Sequence, residues 1–355
     1  MEYLEQYQKH ILGIDTSNYK TSLALISQDD IICDIRKFLD VKQGERGLRQ
    51  SEALFQHVKN LPLLFDDLNG QYAELADEFD GWELREYIGA IAFSSRPRPV
   101  DGSYMPCFLA GASFARSLGA VLDVPVIGFS HQEGHIEAIK AFTEMSYIDQ
   151  FIACHFSGGT CEVLKVGPVV GADSYEQQKL TLGEHFTVLN GENSIYDIEQ
   201  IGGTKDISFG QVLDRAGVQL GMSFPCGADL DRIAMETTHR SSILTPIKVN
   251  DCEFNLSGID TQIKNHLDDA DQAGLVREIF EKFSDAIIKL LLQACHKTGY
   301  RDVIMSGGVS TSRFIRKAIS DALEEEGIIV YFDDLDLSSD NAVGTALLGG
   351  KYIWQ

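Results

Sequence analysis

The stretch Ile11-Leu12-Gly13-Ile14-Asp15-Thr16-Ser17-Asn18-Tyr19-Lys20-Thr21-Ser22-Leu23-Ala24-Leu25-Ile26 reads as an apolar strand, a small polar turn and a second apolar strand. The same plan returns later in Phe151-Ile152-Ala153-Cys154-His155-Phe156, Ser157-Gly158-Gly159-Thr160 and Cys161-Glu162-Val163-Leu164-Lys165-Val166. Both turns are rich in hydroxyls, glycine and backbone donors, as suits a backbone that approaches phosphate oxygens. One such hairpin carries little weight, because Ser, Thr and Gly build many turns. Two, opening two halves, argue for a duplicated plan with one domain over 9–150 and another over 151–355. The last helix is expected to pack back on the first half. A length of 355 residues also favours about two domains.

Outward from the hairpins, strands and helices alternate. Tyr87-Ile88-Gly89-Ala90-Ile91-Ala92-Phe93 reads as a buried strand, and Phe108 to Leu118, with Ala110, Gly111, Ala112, Ser113 and Ala115, as a helix packed tightly on a sheet. Leu275, Ile279, Phe283, Ile287, Leu290 and Leu291 recur at helical spacing. Val303-Ile304-Met305 runs into Ser306-Gly307-Gly308-Val309-Ser310, with a helix from about Ser312. A glycine turn between strand and helix leaves backbone N–H groups for an anion. Ile328 to Phe332 is a last strand, followed by Ser338-Ser339-Asp340-Asn341 and a small-residue helix through Gly349. Asp340 reads either as a helix N-cap or as a carboxylate ligand on a loop after a strand. The class is α/β.

Between the two hairpins lies His131-Gln132-Glu133-Gly134-His135, after the apolar run Val124 to Phe129. Ser130 and Glu133 fit a capping box, so the segment opens a helix. Residues four apart share a helix face, and both imidazoles can reach one metal ion. Taken alone, such a pair is as readily two hydrogen-bonded histidines of a partly buried face. In zinc proteases the glutamate lies beside a ligand histidine in sequence. Glu133 stands two residues from each histidine, about 200° around the helix. Its place is the cap, and the pattern argues against a metalloprotease.

Hydrophobic content of 44% and charged content of 23% belong to a globular protein. No apolar run reaches the ~18 residues of a membrane span, and Met1-Glu2-Tyr3-Leu4-Glu5-Gln6 has no signal-peptide character. Seven scattered cysteines without a CxxC point to reduced core thiols and a cytoplasmic setting. A net charge of −23 is the wrong sign for gripping nucleic acid unaided. The nearest approach to a basic stripe is Arg313-Phe314-Ile315-Arg316-Lys317 with Lys297 and Arg301, which reads as a solvated helix face. An RNA substrate therefore calls for a basic helper protein.

Taken in order, these pieces resemble the actin, sugar-kinase and heat-shock-chaperone ATPase superfamily. Within it they resemble the threonylcarbamoyladenosine tRNA-modification transferases, once labelled O-sialoglycoprotein endopeptidases. The resemblance is carried by Gly13-Ile14-Asp15-Thr16-Ser17, His131-Gln132-Glu133-Gly134-His135, Ser157-Gly158-Gly159, Leu213-Asp214-Arg215, Phe224-Pro225-Cys226-Gly227, Phe254-Asn255-Leu256-Ser257-Gly258, Gly307-Gly308-Val309-Ser310 and Ser339-Asp340-Asn341. It implies a two-lobed fold of duplicated mixed-sheet domains, with a metal held in the cleft by His131, His135 and Asp340. That ligand set suits iron or zinc. It further implies ATP or threonylcarbamoyl-AMP held by Ser157, Gly158, Gly159, Asp214, Gly227, Gly307, Gly308 and Ser312. Asp15, Ser17 and Lys20 would stand at the reaction centre. The implied reaction moves a threonylcarbamoyl group from its mixed anhydride with AMP to the exocyclic amine of an adenosine beside the tRNA anticodon. The implied assembly is a hetero-oligomer with paralogous and ATPase subunits.

This chain also departs from the family. Cys-Asp-Glu-Thr of the first hairpin is replaced by Asn18-Tyr19-Lys20-Thr21, and a Gly-Pro-Gly-Leu segment by Ser95-Arg96-Pro97-Arg98-Pro99-Val100-Asp101-Gly102. Ser-Gly-Gly-His becomes Ser157-Gly158-Gly159-Thr160, Pro-Gly-Gly becomes Pro225-Cys226-Gly227, and Ser-Ala-Asn-Arg becomes Ser310-Thr311-Ser312-Arg313. Three readings are therefore open: the tRNA transferase, a paralogue serving a different acceptor, and a non-catalytic nucleotide-binding subunit.

Overall fold

The computed structural model describes residues 10–17, 19–28, 30–41, 48–76, 83–100, 102–169, 188–189, 194–267, 271–333, 336–337 and 339–354. The start of the chain, Asn18, Asp101 and Ser338 lie outside the described residues. The strands are β1 (His10–Asp15), β2 (Lys20–Ser27), β3 (Asp30–Phe38), β4 (Ile88–Arg96), β5 (Val126–Ser130), β6 (Phe151–Phe156), β7 (Cys161–Pro168), β8 (Val188–Leu189), β9 (Tyr196–Thr204), β10 (Val249–Asn250), β11 (Glu253–Phe254), β12 (Asp302–Ser306) and β13 (Ile329–Phe332). The longer helices are α1 (Gln50–Ala76), α2 (Phe108–Leu122), α3 (His131–Lys140), α4 (Phe209–Gln219), α5 (Gly227–Glu236), α6 (Ser257–His266), α7 (Gln272–Thr298), α8 (Arg313–Glu324) and α9 (Val343–Trp354).

Two mixed sheets result. One has the order β3-β2-β1-β4-β5-β8 and the other β10-β11-β9-β7-β6-β12-β13. In the first, β1 pairs antiparallel with β2 and parallel with β4. In the second, β6 pairs antiparallel with β7 and parallel with β12. The run β3-β2-β1-β4-β5 thus has its counterpart in β9-β7-β6-β12-β13. The two hairpins that repeat in the sequence occupy equivalent places.

The chain divides into two compact units. One holds the described residues of Met1–Phe142, Pro168–Asp197 and Asp340–Gln355, the other those of Thr143–Gly167 and Ile198–Ser339. In the first unit the sheet is covered on both faces. A Cβ on Gly111 of α2 would meet Ile14 and Thr16, whereas a Cβ on Gly13 would meet Ala342 and Ala346 at the start of α9. Neighbouring residues of a strand point to opposite faces, so α2 and α9 lie on opposite sides of β1. Helix α1 turns Ala53, His57, Leu61, Leu64, Leu68 and Tyr72 inward at helical spacing. The second unit is built on α7, whose Ile279, Phe280, Phe283, Ile287 and Leu290 are buried with Phe209 and Phe254. Each such side chain contributes roughly 1.5–3 kcal/mol on burial.

Candidate functional site

Strand β5 delivers the chain to Ser130, which caps α3 with the reciprocal bonds of a capping box. The Glu133 N–H donates to Ser130 Oγ over 3.2 Å, and the Ser130 N–H donates to Glu133 Oε2 over 3.0 Å. The other oxygen of Glu133 accepts from Ser194 Oγ at 2.6 Å and from the Ile195 N–H at 3.1 Å. Glu133 is fully buried and spent on holding the chain. The opposite face of the helix carries His131 and His135, one turn apart.

Their Nε2 atoms stand 2.9 Å apart, and Asp340 Oδ1 lies 3.4 Å from the first and 3.6 Å from the second. Asp340 is not the cap of α9. Asn341 Oδ1 accepts from the Gly344 N–H at 3.2 Å, which leaves the aspartate side chain to the histidines. Close helix packing makes the approach possible, since a Cβ on Gly344 would fall 1.8 Å from the carbonyl oxygen of Gly134. Only glycine allows that backbone contact, and it seats the start of α9 against the histidine helix.

Behind His131 lies Asp15, fully buried at the end of β1. Its Oδ2 is 2.8 Å from His131 Nδ1 and also accepts from Ser94 Oγ. Its Oδ1 accepts from the Ser17 N–H at 2.9 Å and from Ser17 Oγ. Burial works against charge on His131, but the Asp15 and Asp340 carboxylates outweigh it and hold the imidazole pKa up at about 10. Burial and the charge on His131 push His135 down. Burial would raise Asp340, yet its bonds to the histidines hold it well below the usual carboxylate range. Asp15 is lowered as well, burial being outweighed by His131. These shifts favour an imidazolium His131 between two carboxylates at neutral pH, beside a neutral His135.

A metal ion fits among these three donor groups. With bonds of about 2.1 Å, neighbouring ligand atoms are about 3.0 Å apart in an octahedron and about 3.4 Å in a tetrahedron. The separations of 2.9, 3.4 and 3.6 Å span those values, and the three donor groups form a cluster with metal-ligand spacing. The Nδ1 bond to Asp15 orients the ring so that Nε2 faces His135 and Asp340.

The remaining first-unit residues surround this cluster. The Tyr19 N–H donates to Asp340 Oδ2 over 3.2 Å. Lys20 is buried, its Nζ 4.5 Å from the centroid of the Phe38 ring. It shares a face of β2 with Ser22, whose Oγ accepts from the Ala342 N–H. The Pro97 carbonyl oxygen accepts from the Gln132 N–H at 3.1 Å. Sequence reading missed α1, Ser94 and His57. The buried stripe of α1 recurs at helical spacing and was detectable, but Pro62 inside the helix obscures it.

The nucleotide candidates gather in the second unit. Ser157 Oγ accepts from the Thr160 N–H at 3.0 Å and closes the β6–β7 turn. Gly210 at the start of α4 touches that turn, since a Cβ there would lie 2.7 Å from Gly158 Cα. Gly307 has φ +91° and would place a Cβ 2.4 Å from the Phe156 carbonyl oxygen, so its loop closes on the end of β6. Gly159, Gly227 and Gly308 have open space where a Cβ would stand. Asp214 Oδ1 accepts from the Cys226 N–H at 2.9 Å, while burial raises its carboxyl pKa. Ser312 caps α8 and donates its hydroxyl to Asp231. A separate cavity of about 440 Å³, lined by Lys205, Lys248, Asn250 and Gln262 among others, shares no lining residue with either group.

Comparison with known proteins matches residues 81–187 and 180–347 to the TsaD family, tRNA N6-adenosine threonylcarbamoyltransferase. A protein of that name from Neorickettsia sennetsu is 25% identical over 340 residues, covering 94% of this chain and 90% of its own. One from Thermosipho melanesiensis is 24% identical, covering 96% and 94%. Among solved structures, component A of (R)-2-hydroxyglutaryl-CoA dehydratase from Acidaminococcus fermentans gives a TM-score of 0.52 at 15% identity, covering 98% of this chain and all (100%) of its own. Full-length HypF in a phosphate- and nucleotide-bound form gives 0.55 at 12% identity, over 98% of this chain and 47% of that one. These superpositions show the fold alone, an α/β architecture built on two mixed sheets.

Proposed function

We propose a transfer reaction on tRNA for this chain, which belongs to the tRNA N6-adenosine threonylcarbamoyltransferase family. The family is one of enzymes, and they are transferases rather than proteases. The reading is that a threonylcarbamoyl group passes from threonylcarbamoyl-AMP to the exocyclic amine of an adenosine next to the anticodon. The observation that carries it is the set His131, His135 and Asp340, with Asp15 hydrogen-bonded behind His131.

In this reading the two histidines and Asp340 hold one divalent ion, iron or zinc, which when bound supplies Lewis acidity toward carbonyl or phosphate oxygens. Asp15 is a positioning residue. Its carboxylate is fully buried, so it acts through the orientation and basicity of His131. Ser17 and Ser94 fix that carboxylate. The second unit offers the Ser157–Gly159 turn, Asp214, Gly227 and the Gly307–Gly308 turn to the nucleotide, with Ser312 holding the helix behind them. AMP is already a good leaving group, so the protein's work is to orient the carbonyl, meet its developing charge and exclude water.

A helper protein belongs to the reading. The net charge of −23 supports it, being the wrong sign for gripping a tRNA backbone unaided. Free, buried thiols at all seven cysteines support a cytoplasmic setting. Among the described residues no helix is long and apolar enough to cross a membrane.

One specific observation favours a second reading, a paralogue with another acceptor. Lys20 stands where the family has an acid, on the β2 face that meets the start of α9. The deciding experiment expresses the chain, with and without neighbouring partner proteins, in cells depleted of their own transferase. Threonylcarbamoyladenosine is then quantified in digested tRNA by mass spectrometry. Recovery lost with His131→Ala is expected; no recovery from a folded, metal-loaded chain with its partners would move the reading to a different acceptor.

A further inference from the structure

We infer that His57 is a positioning residue, holding the turn of the first hairpin so that its backbone can orient Asp340. The residue sits on the inner face of α1 and is fully buried, with both ring nitrogens in use. Nε2 lies 2.9 Å from the Ser17 carbonyl oxygen and Nδ1 lies 2.9 Å from Thr21 Oγ1. Asn60, one turn along, donates to the same Thr21 Oγ1 over 3.2 Å.

The direction of every bond in this chain is determined. A carbonyl only accepts, so Nε2 carries the hydrogen, and in the neutral ring Nδ1 must then accept. Thr21 therefore donates its hydroxyl hydrogen to Nδ1 and receives the Asn60 N–H. Burial lowers the His57 pKa, which keeps the ring neutral as this pattern requires. The two ends of the turn, Ser17 and Thr21, are thus fixed to one side chain. Between them the Tyr19 N–H donates to Asp340 Oδ2, while Asp340 Oδ1 faces the two histidines.

The rest of the inner face of α1 is apolar at Leu61, Leu64 and Leu68. A polar pair buried at one end of such a stripe costs stability unless fully bonded. Among the described residues the side chains of His57 and Asn60 bond to Ser17 and Thr21 of the hairpin, so the turn, rather than α1 itself, is what they serve. The effect reaches the metal ligands at second hand, through a backbone N–H on a carboxylate.

The test compares His57→Leu, His57→Gln and Thr21→Val in the full chain. Readouts are Co²⁺ affinity by titration and amide hydrogen exchange of the peptide containing residues 16–21. His57→Leu is expected to speed exchange of that peptide and weaken Co²⁺ about tenfold, as loss of a carboxylate's supporting bond does. Gln places an N–H near the Nε2 position and is expected to recover most of both losses. Wild-type exchange and Co²⁺ affinity in His57→Leu, or a Gln variant no better than Leu, would overturn the inference. If His57→Leu does not fold, faster exchange in Thr21→Val supports it and unchanged exchange in Thr21→Val overturns it. Only the further expectation of slower transfer rests on the proposed reaction. Should wild type bind Co²⁺ and show the exchange pattern yet modify no tRNA, that reaction falls and the role of His57 stands.

Discussion

Metal binding to this chain should release about one proton per ion at neutral pH. In the metal-free protein His131 carries a proton on each nitrogen, because Asp15 and Asp340 overcome its burial and hold the pKa at about 10. The Nδ1–H stays on Asp15 when the ion binds; the Nε2–H must leave. His135 is lowered and Asp340 is held well below the carboxylate range, so neither has a proton to lose at pH 7. Three pH units separate pH 7 from that pKa, so proton competition weakens the apparent affinity roughly a thousandfold, about 4 kcal/mol, relative to its alkaline limit. Affinity should therefore rise about tenfold per pH unit through the neutral range. Calorimetric titration with Zn²⁺ or Co²⁺ in two buffers of different protonation enthalpy counts the protons directly. A count near zero with affinity flat from about pH 6.5 to 8.5 would refute both the protonation of His131 and its place as a ligand.

Asp15→Asn keeps the shape but removes the carboxylate behind His131; metal affinity should fall about 10- to 100-fold in equilibrium dialysis while circular dichroism stays native. Without metal, the raised His131 pKa contributes stability that is complete below about pH 6.5, the unfolded value, and fades as pH rises toward about 10. Thermal unfolding of the metal-free chain should thus weaken between pH 7 and 10, a trend that His131→Gln flattens. Gly344→Ala drives a methyl group into the Gly134 carbonyl; it should cost about 1–3 kcal/mol in denaturant unfolding and loosen metal binding as the start of α9 moves off α3. Gly307→Ala forces a left-handed residue and a clash with Phe156, and should weaken ATP or AMP binding measured by fluorescence without changing Co²⁺ affinity.

Local signals made much of this protein legible in its sequence. The two strand–turn–strand segments foretold equivalent hairpins because apolar runs flanked by small polar turns have few other folds. Ser130 and Glu133 announced the start of α3 through a bond pattern confined to four residues. The pairing of His131 with His135 followed from helix periodicity alone. What the sequence hid is whatever depends on distant partners. Asp15 reads as the end of a strand, and nothing local says that its carboxylate meets a histidine 116 positions away. Asp340 was ambiguous between cap and ligand until Asn341 was seen to take the cap. Ser312 matched a nucleotide position by resemblance, yet its hydroxyl is committed to Asp231. Asn60 and His57 read as polar interruptions of an apolar stripe, since their partners lie across the hairpin.

The charge of the chain bears on how an RNA could be held. In the most basic run of the sequence, Arg313 is exposed while the other two cations are drawn inward or neutralised. Arg316 donates to the carbonyl oxygens of Ser310 and Asp333 and stacks over Phe332, and Lys317 pairs with Asp321. These cations serve α8 and its loops, so they release few counterions to a phosphate backbone. Nucleic-acid affinity that depends on neutralised phosphates falls with salt in proportion to their number. If a basic partner supplies those contacts, the chain alone should bind tRNA weakly with a shallow salt slope, and the assembled complex should bind with a steep one. A steep slope for the isolated chain would place the cations on this protein and remove the need for a helper.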